Sequence, residues 1–190
     1  MKYFIIFVLF VASLSFGQEN ISPEQAQKLW MEYMTPGDVH ASFAKSVGNW
    51  DTEAKSWMDP SGEPVVSKGT AVIEMLLGGR YMQSKYFGTV MGMPFEGMGI
   101  DAYDNSTKEY KAIWIDNLGT GIIYMLGKHD PSKNQIEYKG KMVDPVIKGE
   151  TNIRQVITFI DENTQQIEMY GEMMGKEFKS MEMIMKKVKK

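Results

Sequence analysis

Seven side chains in this chain are of types that can hold a small molecule: Arg80, Met91, Met93, Phe95, Trp114, Asp116 and Arg154. Trp114 and Asp116 lie two residues apart, so on a strand they point to one face. If that face is inward, the indole is apolar wall and the carboxylate needs a cation or a polar ligand group. Arg80 is the first choice for that cation and Arg154 the second. They are the only arginines in the chain, and a planar guanidinium can pair with a carboxylate through two hydrogen bonds. Met91 and Met93, in the run Met91-Gly92-Met93-Pro94-Phe95-Glu96-Gly97, would border an opening and adapt to ligands of different shape. Phe95 shares a strand face with Gly97, Gly99 and Asp101. Glycines at Gly97 and Gly99 leave space where a wall bends or another group approaches. The plainer reading places Arg80, Arg154, Glu96, Asp116 and Glu182 on an outer face, where charges alternate with core residues. The strand parity is ambiguous, so both readings stand.

Several other chemistries are excluded or weakened. The chain has no cysteine, which removes disulfides, thiolate metal sites and thiol nucleophiles. It has two histidines, His40 and His129, too few for a multi-histidine zinc site. His40 reads as a helix-packing histidine with one hydrogen-bond partner, and His129 as a solvated turn residue. Gly97-Met98-Gly99-Ile100-Asp101-Ala102 fits the GxGxxG/A spacing, but a dinucleotide site needs a helix after the glycines and here a strand runs on into a turn. The 17 methionines could offer thioethers to Cu(I), though methionine more often serves as adaptable apolar filling. No metal and no cofactor is therefore expected, and no residue set forms a specific catalytic motif. A net charge of −3 with no basic domain argues against nucleic acid as a partner.

The elements that would position these residues follow from the pattern. At 190 residues the chain can bury a core as one domain. Lys2, the apolar run Tyr3 to Val11 and the small residues Ser15 and Gly17 read as a signal peptide over 1–17. The run is too short for a comfortable membrane span, so export to a periplasm or outside the cell is expected. Residues 18–47 read as a helical lead-in. Ser22-Pro23-Glu24-Gln25 is a capped helix start, and Ala26, Leu29, Trp30, Tyr33 and Met34 form an apolar stripe. After Pro36-Gly37, Asp38 can cap a second short helix carrying Val39, Phe43 and Val47. Both helices are expected to pack on the body that follows.

From Gly48 the period changes to two. Strands are expected over Asn49–Trp57, Val65–Leu77, Arg80–Val90, Pro94–Tyr103, Glu109–Asp116, Gly121–Gly127, Gln135–Met142, Thr151–Ile160, Gln166–Met173 and Lys176–Val188. Aspartate opens three similar turns, at Asp104, Asp130 and Asp161, where its carboxylate can accept backbone hydrogen bonds two residues on. Hairpins in series with no intervening helix predict an all-β antiparallel up-and-down meander of about ten strands over residues 48–190, arranged as a barrel or a sandwich. Several strands are apolar on both faces, for instance Ile153 and Ile157 against Val156 and Ile160, so the inward face stays open.

Gly79-Arg80, the MGMPFEG segment at 91–97, Gly99, Tyr103-Asp104, Trp114-Ile115-Asp116 and Gly175-Lys176-Glu177-Phe178-Lys179 together resemble the bacterial domain of unknown function 1579 family, from about His40 to the C-terminus. The resemblance implies a calycin-like barrel, the broad architecture of lipocalins and fatty-acid-binding proteins. Gly48-Asn49-Trp50 is similar to the Gly-x-Trp that opens the first lipocalin strand. In that group a basic residue near the barrel's end lies over the tryptophan, a place Lys186 or Lys187 would fill. Trp50, Gly97 and Gly99 are thus the expected structural residues. The family carries no established activity, so the expected function rests on the fold: a barrel of about ten strands leaves room for a small, largely apolar molecule. The alternatives are a filled barrel used for structure or protein contacts and, less favoured, an enzyme acting on lipid or sugar.

Overall fold

The computed structural model describes residues 21–189; the expected signal peptide and its cleavage point lie outside them. The chain divides into two compact units, one ending at Met34 and one running from Thr35. In the first, helix α1 (Pro23–Met34) starts as the sequence dictates. Ser22 Oγ accepts a hydrogen bond from the Gln25 N–H at 3.2 Å, and Gln25 Oε1 accepts from the Ser22 N–H at 3.0 Å. These reciprocal bonds satisfy donors that a helix start otherwise leaves without partners.

The second unit holds helix α2 (Asp38–Ala44) and ten strands: β1 (Gly48–Ser56), β2 (Val65–Leu76), β3 (Tyr81–Val90), β4 (Met93–Asp104), β5 (Glu109–Asp116), β6 (Ile123–Asp130), β7 (Gln135–Asp144), β8 (Gly149–Asp161), β9 (Thr164–Met173) and β10 (Lys176–Lys187). Each strand pairs antiparallel with its sequence neighbours, and β1 pairs with β10 from Trp50↔Lys187 to Ser56↔Met181, which closes the barrel. Closure leaves no free sheet edge.

The turns are built by side chains as expected. Asp104, Asp130 and Asp161 each accept a backbone N–H two residues on, at 2.9, 3.0 and 2.7 Å. A fourth turn of the same kind escaped the sequence reading: Asp144 Oδ1 accepts from the Val146 N–H at 2.7 Å. Three of these turns end in a left-handed residue, Lys108, Asn134 or Lys148, the conformation that lets a short loop rejoin the ladder.

Two assignments differ from the sequence reading. Asp38 is the first residue of α2, with Gly37 at the cap. The cap is held from the other side, because His40 Nδ1 accepts the Gly37 N–H at 3.0 Å. His129 is the penultimate residue of strand β6, exposed, with its ring 6.2 Å from that of Tyr110, so it is a strand residue rather than a turn residue.

α2 closes one end of the barrel. His40 and Phe43 are buried and meet the rings of Tyr103 and Tyr110, each at 6.0 Å and nearly edge-on. Burial holds the His40 imidazole below its ordinary pKa, so it packs as a neutral ring. Trp50 Nε1 donates to the Ser46 carbonyl at 2.9 Å, Gln165 Nε2 donates to Ser46 Oγ at 2.8 Å, and Lys187 Nζ donates to the Lys45 carbonyl at 2.9 Å. The ammonium of Lys187 lies 5.6 Å from the centre of the Trp50 ring, in the place expected for a basic residue over the tryptophan.

The two ends differ in chemistry. At the α2 end the turns Asn105-Ser106-Thr107-Lys108 and Pro131-Ser132-Lys133-Asn134 are polar, while Leu77 of the β2–β3 turn is exposed. At the opposite end the five turns expose Met58, Met91, Leu118 with Ile122, Val146 with Ile147, and Met174. The outer wall carries cross-strand ion pairs such as Lys68–Glu53, Lys141–Glu150 and Arg154–Glu177. A wall meant for hydrocarbon carries an apolar band instead. No described helix is long and apolar enough to cross a membrane.

Candidate functional site

The interior is not filled. A cavity of about 330 Å³ runs from the middle of the barrel to the end away from α2. Its inner part is walled by Ile73, Met82, Asp101, Ala112 and Met125, and its outer part reaches Ser56, Val90, Phe95, Asp116 and Met142. Methionines on five strands, Met82, Met125, Met142, Met169 and the pair Met181 and Met183, form much of the wall. Unbranched thioether side chains suit a lining that must adapt in shape. The structure thereby decides the parity: Ile153 and Ile157 face the cavity, while Ile160 is exposed.

The glycines of β4 explain how an indole fits into this wall. Gly97 pairs with Asp116, and Gly99 with Trp114. A Cβ on Gly97 would stand 2.4 Å from the Trp114 ring, and one on Gly99 would stand 3.0 Å from Ser84 Oγ. The indole therefore lies against bare backbone. It stacks on Phe95, with ring centres 6.5 Å apart and planes 20° apart, and meets Tyr86 at 5.5 Å. Trp114 Nε1 donates to Asp116 Oδ2 at 2.7 Å, and the Leu118 N–H donates to Asp116 Oδ1 at 2.9 Å. The inward face assumed for Trp114 and Asp116 is the observed one, but the partner of the carboxylate is its own neighbour and a backbone amide.

Neither arginine reaches Asp116. Arg80 lies in the β2–β3 turn at the α2 end, where its guanidinium donates to the Leu77 carbonyl at 3.0 Å. Arg154 is on the outer wall, as parity requires with Ile153 and Gln155 facing in. It holds Glu177 through two hydrogen bonds of 2.8 and 2.7 Å and lies 3.7 Å over the Tyr170 ring. This bidentate pair raises the Arg154 pKa and lowers that of Glu177. Met91 and Met93 sit by the β3–β4 turn at the open end, 65% and 51% exposed, outside the cavity lining. The fold thus gathers Phe95, Trp114 and Asp116 at the cavity, sets Met91 and Met93 beside its mouth, and sends both arginines elsewhere.

The residue that sequence reasoning passed over is Asp101. It is only 7% exposed, lines the inner part of the cavity, and accepts the Tyr138 hydroxyl on Oδ1 at 2.7 Å. Burial pushes its pKa up to about 6, with the Tyr138 hydrogen bond acting in the opposite direction. Tyr138 is buried and fits because Gly127 faces it: a Cβ there would be 2.5 Å from the tyrosine ring. Tyr86, half-buried beside this group, donates to Met185 Sδ at 3.7 Å. A sequence signal existed. Asp101 is two residues beyond Gly99 on the glycine-bearing face, and a lone acid on a face otherwise read as inward is costly unless partnered.

Asp101 and Asp116 do not make a glycosidase pair. Asp101 pairs with Ala112, four residues from Asp116 along β5. At about 3.3 Å per residue their backbones are some 13 Å apart. The carboxyls of such enzymes stand roughly 5–9.5 Å apart. No histidine lines the cavity, and no cluster of potential metal ligands occurs among the described residues.

Fold and site define a closed ten-stranded antiparallel barrel with one capped end and an apolar, acid-bearing interior. The chain belongs to the family described as protein of unknown function (DUF1579), whose model matches residues 35–187. That span takes in α2 and all ten strands. No match was found among curated proteins. Among solved structures the chain is similar to a redesigned β-barrel, at 13% identity over 77% of this chain and 95% of the other, with a TM-score of 0.40.

Proposed function

We propose that the barrel binds one small, largely apolar molecule in its interior. The observation that carries this reading is the one-ended cavity of about 330 Å³, walled by methionine, isoleucine and aromatic side chains. Its size is at the lower end of ordinary ligand pockets. The aliphatic residues on the turns at the mouth suit entry by an apolar molecule. Trp114 is the reporter. An apolar ligand is expected to change tryptophan fluorescence, and Trp114→Phe should remove most of that change. Native mass spectrometry of freshly purified protein should detect a co-purifying small molecule. If lipids, haem and small aromatics leave both fluorescence and melting temperature unchanged, the proposal is wrong.

One observation favours a second reading, a protein contact through the outer wall. Met98, Ile100, Ile113, Ile115, Tyr124 and Leu126 lie on neighbouring outer positions of β4, β5 and β6, and Ile115, Tyr124 and Leu126 are exposed. Export is part of the same proposal, supported by Lys2, the apolar run Tyr3 to Val11 and the small residues Ser15 and Gly17. Mapping the N-terminus of secreted protein should place it at or near Gln18; retention of Tyr3 to Val11 would sink this point.

A further inference from the structure

The charges that face the cavity are unequal in sign. Asp101 and Asp116 line it, and among the described residues the one cationic residue at its border is Lys68 on β2, whose side chain lies on the outer wall within 3.8 Å of Glu53. Asp116 already accepts two hydrogen bonds, from Trp114 Nε1 and the Leu118 N–H. Asp101 accepts one, on Oδ1 from Tyr138. Among the described residues no ion pair involves Asp101 and no buried side-chain oxygen is left without a partner, so Oδ2 is open to the cavity. The groups around it are Tyr86 from β3 and Tyr138 from β7, both held neutral by burial, with Ser84 from β3. None can supply a positive charge.

A buried carboxylate without a cation is strongly unfavourable, and a ligand that brings the cation removes that penalty. Resting on the apolar-ligand reading above, we infer that the cavity selects a molecule whose apolar body ends in a protonated amine, seated against Asp101 Oδ2. The same electrostatics disfavour a fatty-acid-like carboxylate, which would meet two aspartates and no inner cation. The apolar wall between Asp101 and the mouth then holds the body of the molecule.

Three probes of equal length, n-octylamine, 1-octanol and octanoate, test this on the full chain by calorimetry or Trp114 fluorescence. Near pH 7.5 the amine should bind about tenfold more tightly than the alcohol, since a charge-assisted hydrogen bond exceeds a neutral one by roughly that factor. Octanoate should be the weakest. The amine's advantage should fall as pH drops through about 6, where Asp101 gains a proton. Asp101→Asn should abolish the advantage, so that octylamine binds that variant no more tightly than 1-octanol does. The pH series on the unaltered protein gives the same test without a variant. Octylamine no tighter than octanol, an advantage that survives in Asp101→Asn, or octanoate as the tightest probe overturns the amine inference while leaving the apolar cavity in use. If none of the three binds, both this inference and the ligand-binding proposal fail.

Discussion

Trp50→Ala is expected to cost about 3–5 kcal/mol of folding stability, the range for removing a large buried aromatic side chain. The ring is 1% exposed, sits on the strand that closes the barrel against β10, and anchors the segment after α2 through its bond to the Ser46 carbonyl. Its loss opens a cavity at the closed end and removes a staple in one step. Lys187→Met should cost far less, about 0.5–1 kcal/mol, because the partly exposed ammonium contributes at most a cation–π contact and a hydrogen bond. Urea denaturation of the two variants and the unaltered protein measures both. A Trp50→Ala cost below about 1 kcal/mol, typical of surface positions, would show that the ring is not part of the closing seam.

Asp101→Asn is expected to stabilise the protein above pH 6. The folded pKa of Asp101 is raised from 3.8 to about 6, so ionisation favours the unfolded chain. The contribution of this group to stability is fully present below pH 3.8 and is lost as pH rises through about 6. The loss above that window is about 3 kcal/mol at 1.36 kcal/mol per pKa unit. Asparagine keeps an oxygen to accept the Tyr138 hydroxyl and has no charge to bury. The gain should therefore reach about 2–3 kcal/mol near pH 7.5 and vanish near pH 3.5. His40, with its lowered pKa, destabilises the fold in acid, but equally in both proteins, so it cancels in the difference. Melting temperatures of the two proteins across pH give the answer. A variant less stable than the parent near neutral pH would mean that the carboxylate is paired with a cation in the folded protein.

Much of the fold was legible because strand, turn and helix-start signals act over a few residues. Asp104, Asp130 and Asp161 made their turns from local chemistry alone, and all ten strands fall where the period of two placed them. Asp144 was missed because Pro145-Val146-Ile147 lacks the polar composition of the other turns, although its carboxylate does the same work. The inward face of Trp114 was one of two readings the sequence left open, and in the fold the indole lies at the cavity against the bare backbone of Gly97 and Gly99. The arginine partner was not legible. Arg80 and Asp116 are at opposite ends of the barrel, a fact that depends on which strand end each occupies and not on their residue types.

The sequence by itself determined the alternation of short apolar strands and polar turns and the capped helix start at Ser22. Those features are written in residue type and spacing within a few positions. Only the tertiary structure decided which face of each strand is interior, that α2 closes one end and not the other, and that Asp101 lies buried with one hydroxyl partner. The reason is the period of the strand. Where both faces are apolar, a shift by one residue exchanges them at little local cost, and the choice is made by closure of β1 on β10 and by the ring contacts that fill the middle. The chemistry of the cavity follows from that choice.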